Sequence, residues 1–218
     1  QDPDGLLLAE RDGLSDLAVA NRYDSNILIF SQPFTVGMAP TWTLDIPGGA
    51  ESIAAGFLDA DSYQDVVVSS VDASALHFFY QSLGFFPSTT SYVRPLDMVA
   101  TSMEVGDVDG DGSDDLVLLS GPSSVAEVFL QKASSPIWDY SPDYAFPTGS
   151  YPRGALIGDL TSGPETCVAV SSARSDWTGA SIAIYPFKLG NLSNSNMTTW
   201  TSANSEASGA STGDLNGD

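Results

Sequence analysis

Cations, thiols and helical patterns are what this sequence has least of. Its 218 residues hold 7 Lys+Arg against 28 Asp+Glu, a formal net charge of −21. A chain with so few cations carries no basic patch to neutralise phosphate, which excludes nucleic acid and anionic membrane surfaces as partners. The single cysteine, Cys167, leaves no intrachain disulfide framework. At the head of the strand-like run CVAVSS it reads as a buried thiol. The single histidine, His77, lies inside the run LHFFY and reads as a strand residue rather than a catalytic base. No apolar run is long enough to span a membrane, so membrane insertion is not expected. There is no H-E-x-x-H or C-x-x-C. With no nucleophile or base in a recognisable setting, no enzymatic activity is expected. No amphipathic helical period occurs at any length, whereas short β-branched and aromatic runs bounded by Gly, Pro, Ser and Asp recur throughout.

The acid that is present is patterned. Gly106 to Ser120 reads GDVDGDGSDDLVLLS, which sets Asp107, Asp109, Asp111 and Asp115 at positions 1, 3, 5 and 9 of a loop, with Gly112 at position 6. Calcium is a hard cation that takes several oxygen ligands. Alternating carboxylates can wrap one ion, and the sharp turn at Gly112 lets Ser113 offer its backbone carbonyl. An EF-hand loop would continue to a bidentate Glu at position 12 and then a helix. Position 12 here is Leu118, inside the apolar run Leu116–Leu119, so a hairpin tip between two strands is expected instead. The stretch resembles the FG-GAP (VCBS) repeat of integrin α-subunit propellers and many secreted proteins, whose core reads G-D-x-[DN]-G-D-G-x-x-D-L-x-V. That resemblance implies calcium-stiffened β-propeller blades.

Internal repeats follow the same pattern. Related registers run Leu8–Val19, Gly56–Val68, Gly106–Val117, Gly158–Val170 and Gly213–Asp218, with a period of about fifty residues. Several strand-like runs fall within each period, and four strands make one propeller blade. The expected fold is therefore an all-β propeller of four-stranded FG-GAP blades, about four of them plus the start of a fifth. The repeats are set at 1–48, 49–97, 98–152, 153–206 and 207–218, in a single and incomplete propeller region. Because the first loop lacks a clear preceding strand and the last motif is cut short, the chain is expected to be part of a longer polypeptide, or else to complete a blade with another chain.

Each repeat offers ligands. The founding loop presents Asp107, Asp109, Asp111, Ser113 and Asp115. The second presents Asp59, Asp61 and Asp65 with Phe57 at position 1. The first presents Glu10, Asp12 and Asp16 with Leu8 at position 1. The fifth presents Asp214, Asn216 and Asp218. The fourth carries Gly163 and Cys167 where carboxylates belong and reads as a metal-free turn. Calcium is thus the one cofactor expected. The sequons at Asn191 and Asn196 are candidate glycosylation sites. With the calcium loops and few lysines, they place the chain outside the cell. Trp138 and Trp200, on expected outer strands, are candidate glycan contacts, against the alternative that such rings serve packing. The expectation is an extracellular calcium-binding interaction or assembly module, with a protein partner or copies of itself. The alternatives are a lectin-like propeller or a propeller domain of a carbohydrate-active enzyme.

Overall fold

β-Branched and aromatic runs punctuated by Ser, Gly and Asp fold here into short antiparallel strands. The computed structural model describes residues 5–10, 15–70, 72–133, 137–160, 165–173, 179–188, 191–192 and 198–203. Every regular element among them is a strand. The first sheet holds β1 (Gly5–Glu10), β2 (Ser15–Asn21), β3 (Asn26–Phe30) and β4 (Trp42–Asp45). The second holds β5 (Ala50–Gly56), β6 (Asp65–Ser70), β7 (Ala75–Phe79) and β8 (Tyr92–Pro95). The third holds β9 (Ser102–Gly106), β10 (Asp115–Ser120), β11 (Val125–Phe129) and β12 (Tyr144–Pro147). The fourth holds β13 (Pro152–Gly158), β14 (Cys167–Ala173), β15 (Gly179–Lys188), β16 (Asn191–Leu192) and β17 (Thr198–Ala203). Each of the first three sheets is a four-stranded meander with neighbours in sequence order; in the fourth, both β16 and β17 pair with β15. The fold is all-β, of β-propeller type, with four-stranded blades. A fifth blade would begin at 207–218, outside the described residues.

Burial explains why the second strand of each blade is the plainest in the sequence. β6 and β10 are buried at every position, so both their faces must be apolar or hydrogen-bonded, and DVVVSS and DLVLLS are runs rather than alternations. The fourth strands β4, β8 and β12 are half solvated. They end on Asp45, Pro95 and Pro147, which pair with Asn26, Ala75 and Val125. A charge or a proline at an outer edge blunts pairing with another chain. The turns between second and third strands share one device as well. Ser25, Ser74 and Ser124 all take positive φ, and their carbonyls accept the N–H of Ile46, Leu96 and Thr148 just beyond each fourth strand.

The chain divides into two compact units, residues 1–103 with 131–140, and residues 104–130 with 141–218. In the first, Ala18, Ile27, Ile29 and Leu44 of one blade pack against Ile53, Val66, Val68 and Phe79 of the next. In the second, Val117, Leu119 and Val128 pack with Val168, Val170 and Tyr185, and Phe146 lies 4.2 Å from Tyr185 between ring centroids. Gly106 suits close blade packing there, since a Cβ at that position would meet Ile157 Cδ1 at 3.4 Å.

Three expectations from the sequence need correction. A strand, β1, does precede the first loop; GLLLAE pairs in register with β2 from Gly5↔Ala20 to Glu10↔Ser15. The sequence runs Phe85–Val93 and Ile137–Phe146 read as fourth strands, but β8 and β12 cover only Tyr92–Pro95 and Tyr144–Pro147, because 85–91 and 137–143 each contain a proline and turn residues and stay irregular. Trp138 therefore lies in a connection rather than on a strand. It is only 2 % exposed and stacks on Phe78 at 5.7 Å, so its ring offers no face to a sugar.

Candidate metal centre

The β9–β10 hairpin carries an eight-residue tip, 107–114, between Gly106 and Asp115. Gly110 and Gly112 sit at φ +80° and +91°, a backbone region that L side chains rarely adopt. Those two turns aim successive N–H groups inward at one carboxylate. Asp107 Oδ1 accepts from Gly110 N at 2.7 Å and Asp111 N at 3.1 Å, and Asp107 Oδ2 accepts from Gly112 N at 3.0 Å. Asp109 Oδ1 accepts from Asp111 N, and Asp111 Oδ1 accepts from Ser113 N at 2.7 Å. At the base, Asp115 is buried and its Oδ2 accepts from Val108 N at 2.8 Å. The result draws carboxylate oxygens of Asp107, Asp109 and Asp115 within 4.8 Å of one another. Asp111 is not part of that triad; its carboxylate is turned to the backbone of the loop.

Like charge packed this closely is costly. The Asp109 carboxyl is raised above the usual carboxylate range, chiefly by burial and further by Asp111 and Asp107. A cation between the three side chains removes that repulsion. Three hard oxygen donors on a glycine-shaped loop fit calcium chemistry, which prefers carboxylate and carbonyl oxygens.

The second loop, 57–64, keeps the acids and loses the shape. Ala60 and Ser62 stand where the glycines would be, and neither takes positive φ. Phe57 replaces the carboxylate that gathers the N–H groups. Asp59 accepts from Asp61 N and Asp61 from Tyr63 N, each a local turn. Asp65 is fully buried and spends both oxygens on backbone, accepting from Leu58 N at 3.1 Å and Gln81 N at 2.7 Å. Burial, ahead of its neighbours Asp59 and Asp61, pushes its carboxyl up to about 7. Asp59, Asp61 and Asp65 are not drawn into a triad. Asp65 instead staples the hairpin to the third strand's exit.

That staple was readable and was missed. Gln32, Gln81 and Gln131 each follow a ninth-position aspartate, Asp16, Asp65 and Asp115, at the same interval. Gln32 N donates to Asp16 Oδ1 at 3.3 Å, as Gln81 N does to Asp65. The remaining expected sites scatter. Glu10 ends β1 opposite Ser15, and Asp16 pairs with Ala9. Asp12, Asn196, Asp214, Asn216 and Asp218 lie outside the described residues. Asn191 lies in β16 opposite Lys188, and Trp200 lies in β17 opposite Ile182. Cys167 occupies the ninth position of the fourth hairpin, buried and opposite Gly158, where a carboxylate would otherwise stand.

Residues 58–118, the span from the second loop through the third, match the FG-GAP-like repeat family. No curated protein sequence matches the chain. A solved structure described as "Crystal structure of BBS1N in complex with ARL6DN, soaked with lead" is similar in fold, with a TM-score of 0.54 and 16 % identity over 86 % of this chain. The chain spans about half of that relative's length, 49 %.

Proposed function

Residues 58–118 belong to the FG-GAP-like repeat family, and from that premise we propose that this chain is an extracellular, calcium-binding, non-catalytic interaction module built of propeller blades. The observation that carries the reading is the triad of Asp107, Asp109 and Asp115, gathered on one glycine-shaped hairpin tip. These three side chains would hold the ion, whose part is to stiffen the hairpin by cancelling their repulsion. Asp111, with the backbone of Ser113, shapes the loop around them. Extracellular modules of this kind work with weak calcium sites, because calcium is plentiful outside cells. The low lysine content and the sequons at Asn191 and Asn196 agree with that compartment. The clustered carboxylates of Asp107, Asp109 and Asp115, and Asp65, serve a hairpin tip and a backbone staple. A protein partner, or another copy of the chain, is what such a module would engage. The lectin alternative loses Trp138, which is spent on packing.

Calorimetric titration with calcium tests this. The wild-type chain is expected to bind saturably and to melt higher in calcium than in chelator, since a ligand of the native state stabilises by mass action. Asp109→Ala is expected to weaken binding at least roughly tenfold and to narrow the gap between the two melting temperatures. An Asp109→Ala chain with unchanged affinity would sink the assignment of this loop.

A further inference from the structure

In an antiparallel meander the tip between first and second strands and the connection between third and fourth strands lie at the same end of the blade. In the first unit that end is apolar. Phe34 and Val36 stand exposed on the β3–β4 connection, Phe57 on the β5–β6 tip, Leu83 and Phe85 on the β7–β8 connection, and Tyr140 on the segment 131–140. Leu83 is 76 % and Phe85 69 % exposed. These positions are tied to one another by contacts at their bases. Trp42, at the foot of the first connection, meets Phe86 edge to face at 5.8 Å. Trp138 stacks on Phe78, and Arg94 donates to the carbonyls of Asp139 and Tyr140 at 3.0 and 2.8 Å, which fixes 131–140 against β7 and β8. Gln131 Nε2 donates to the Phe57 carbonyl at 2.7 Å. These contacts hold the connections of the first unit beside one another.

The face also carries local cost without burial in return. Leu83 sits at φ +52°, where Gly or Asn would be unstrained, and its side chain lies in water. Contiguous exposed apolar surface of this kind marks an interaction site. Charge decides the occupant. Asp59 and Asp61 stand on this end with no ion pair among the described residues, and Lys132 is paired to Asp139 at 3.4 Å. A second copy would bring the same uncompensated acid, on a chain of net charge −21, against itself.

We propose that this end of the first unit, the face of Phe34, Val36, Phe57, Leu83, Phe85 and Tyr140, docks a polypeptide segment that combines apolar side chains with Lys or Arg. The inference rests on the interaction reading above and names its surface. The probe is a random-peptide phage library panned against the full chain in calcium. The selected peptides are then measured on wild type, on the double variant Leu83→Asn with Phe85→Ser, and on Tyr23→Ser. Tyr23 is equally exposed but lies on the β2–β3 turn, at the opposite end. Both changed positions of the double variant are solvated and Asn suits positive φ, so its melting temperature is expected to hold. Selected peptides rich in basic and apolar residues, weakened roughly tenfold by the double variant and untouched by Tyr23→Ser, support the proposal. Peptides that bind the double variant equally overturn the surface while the interaction reading stands. Peptides without basic residues overturn the proposed partner chemistry. Concentration-dependent dimerisation abolished by the double variant assigns the face to a second copy and overturns it too. Failure to select any peptide overturns this inference, while the interaction reading, which also admits another copy of the chain, stands.

Discussion

Single carboxylates in this chain do different work according to what surrounds them. Asp107 gathers backbone N–H groups, Asp65 staples two segments, and Glu104 does neither. Glu104 lies half-buried on β9, and burial alone pushes its carboxyl up to about 7. A carboxyl whose pKa is higher folded than unfolded leaves the native state holding more protons between the two values, so stability falls as pH rises through that window. Below the ordinary glutamate value of 4.5 both states are protonated and no penalty applies; above about 7 the penalty is complete. Glu104→Gln is therefore expected to raise the melting temperature near neutral pH, to change little near pH 4.5, and to flatten the slope between. Melting curves across that range check it. A variant that melts like wild type at pH 7 and above would show that burial of Glu104 carries no penalty.

Among the elements, the connection from β11 to β12 departs furthest from a simple hairpin. Its segment 131–140 packs within the first unit, where Trp138 is buried against Phe78 and the buried Arg94 holds two of its carbonyls. A buried guanidinium carries several donors in fixed geometry that need acceptors, and these carbonyls supply two. Truncating a buried tryptophan removes both its transfer energy and its packing. Trp138→Ala is expected to cost about 3 kcal/mol and to speed amide exchange in 131–140 ahead of the β5–β6 pairing. Exchange that stays slow there, with unchanged stability, would mean that Arg94 and the backbone hold the segment without the indole.

For the molecule as a whole, charge is the dominant stress. With 28 acidic against 7 basic residues, self-repulsion opposes every compact state of the chain. Salt screens such repulsion over about 10 Å at 0.1 M. In chelator the melting temperature is expected to climb as sodium chloride is raised, and to climb less when calcium is present, because part of the acid is then already neutralised. A melting temperature that falls with salt would point to ion pairs as the net electrostatic contribution instead. The ion pairs Arg22–Glu51 and Lys132–Asp139 involve partly exposed side chains of the kind worth little.

The parts of this protein that depend on local chemistry were legible in the sequence. DVVVSS and DLVLLS read as strands, and Asp107, Asp109, Asp111 and Asp115 were spaced to wrap one ion, of which Asp107, Asp109 and Asp115 are drawn together. Period and turn residues marked the blades. What depends on distant partners was not legible. GLLLAE became a strand because β2 was there to pair with it. Asp59, Asp61 and Asp65 resemble the founding ligands by spacing, yet without the two glycines their loop does not draw them together. Trp138 looked like a surface ring until Phe78 and Arg94, some 40 to 60 residues earlier in the chain, enclosed it. Alternation, turns and ligand spacing are written within a few residues; burial is decided by which segments meet, and only the tertiary structure brings them together.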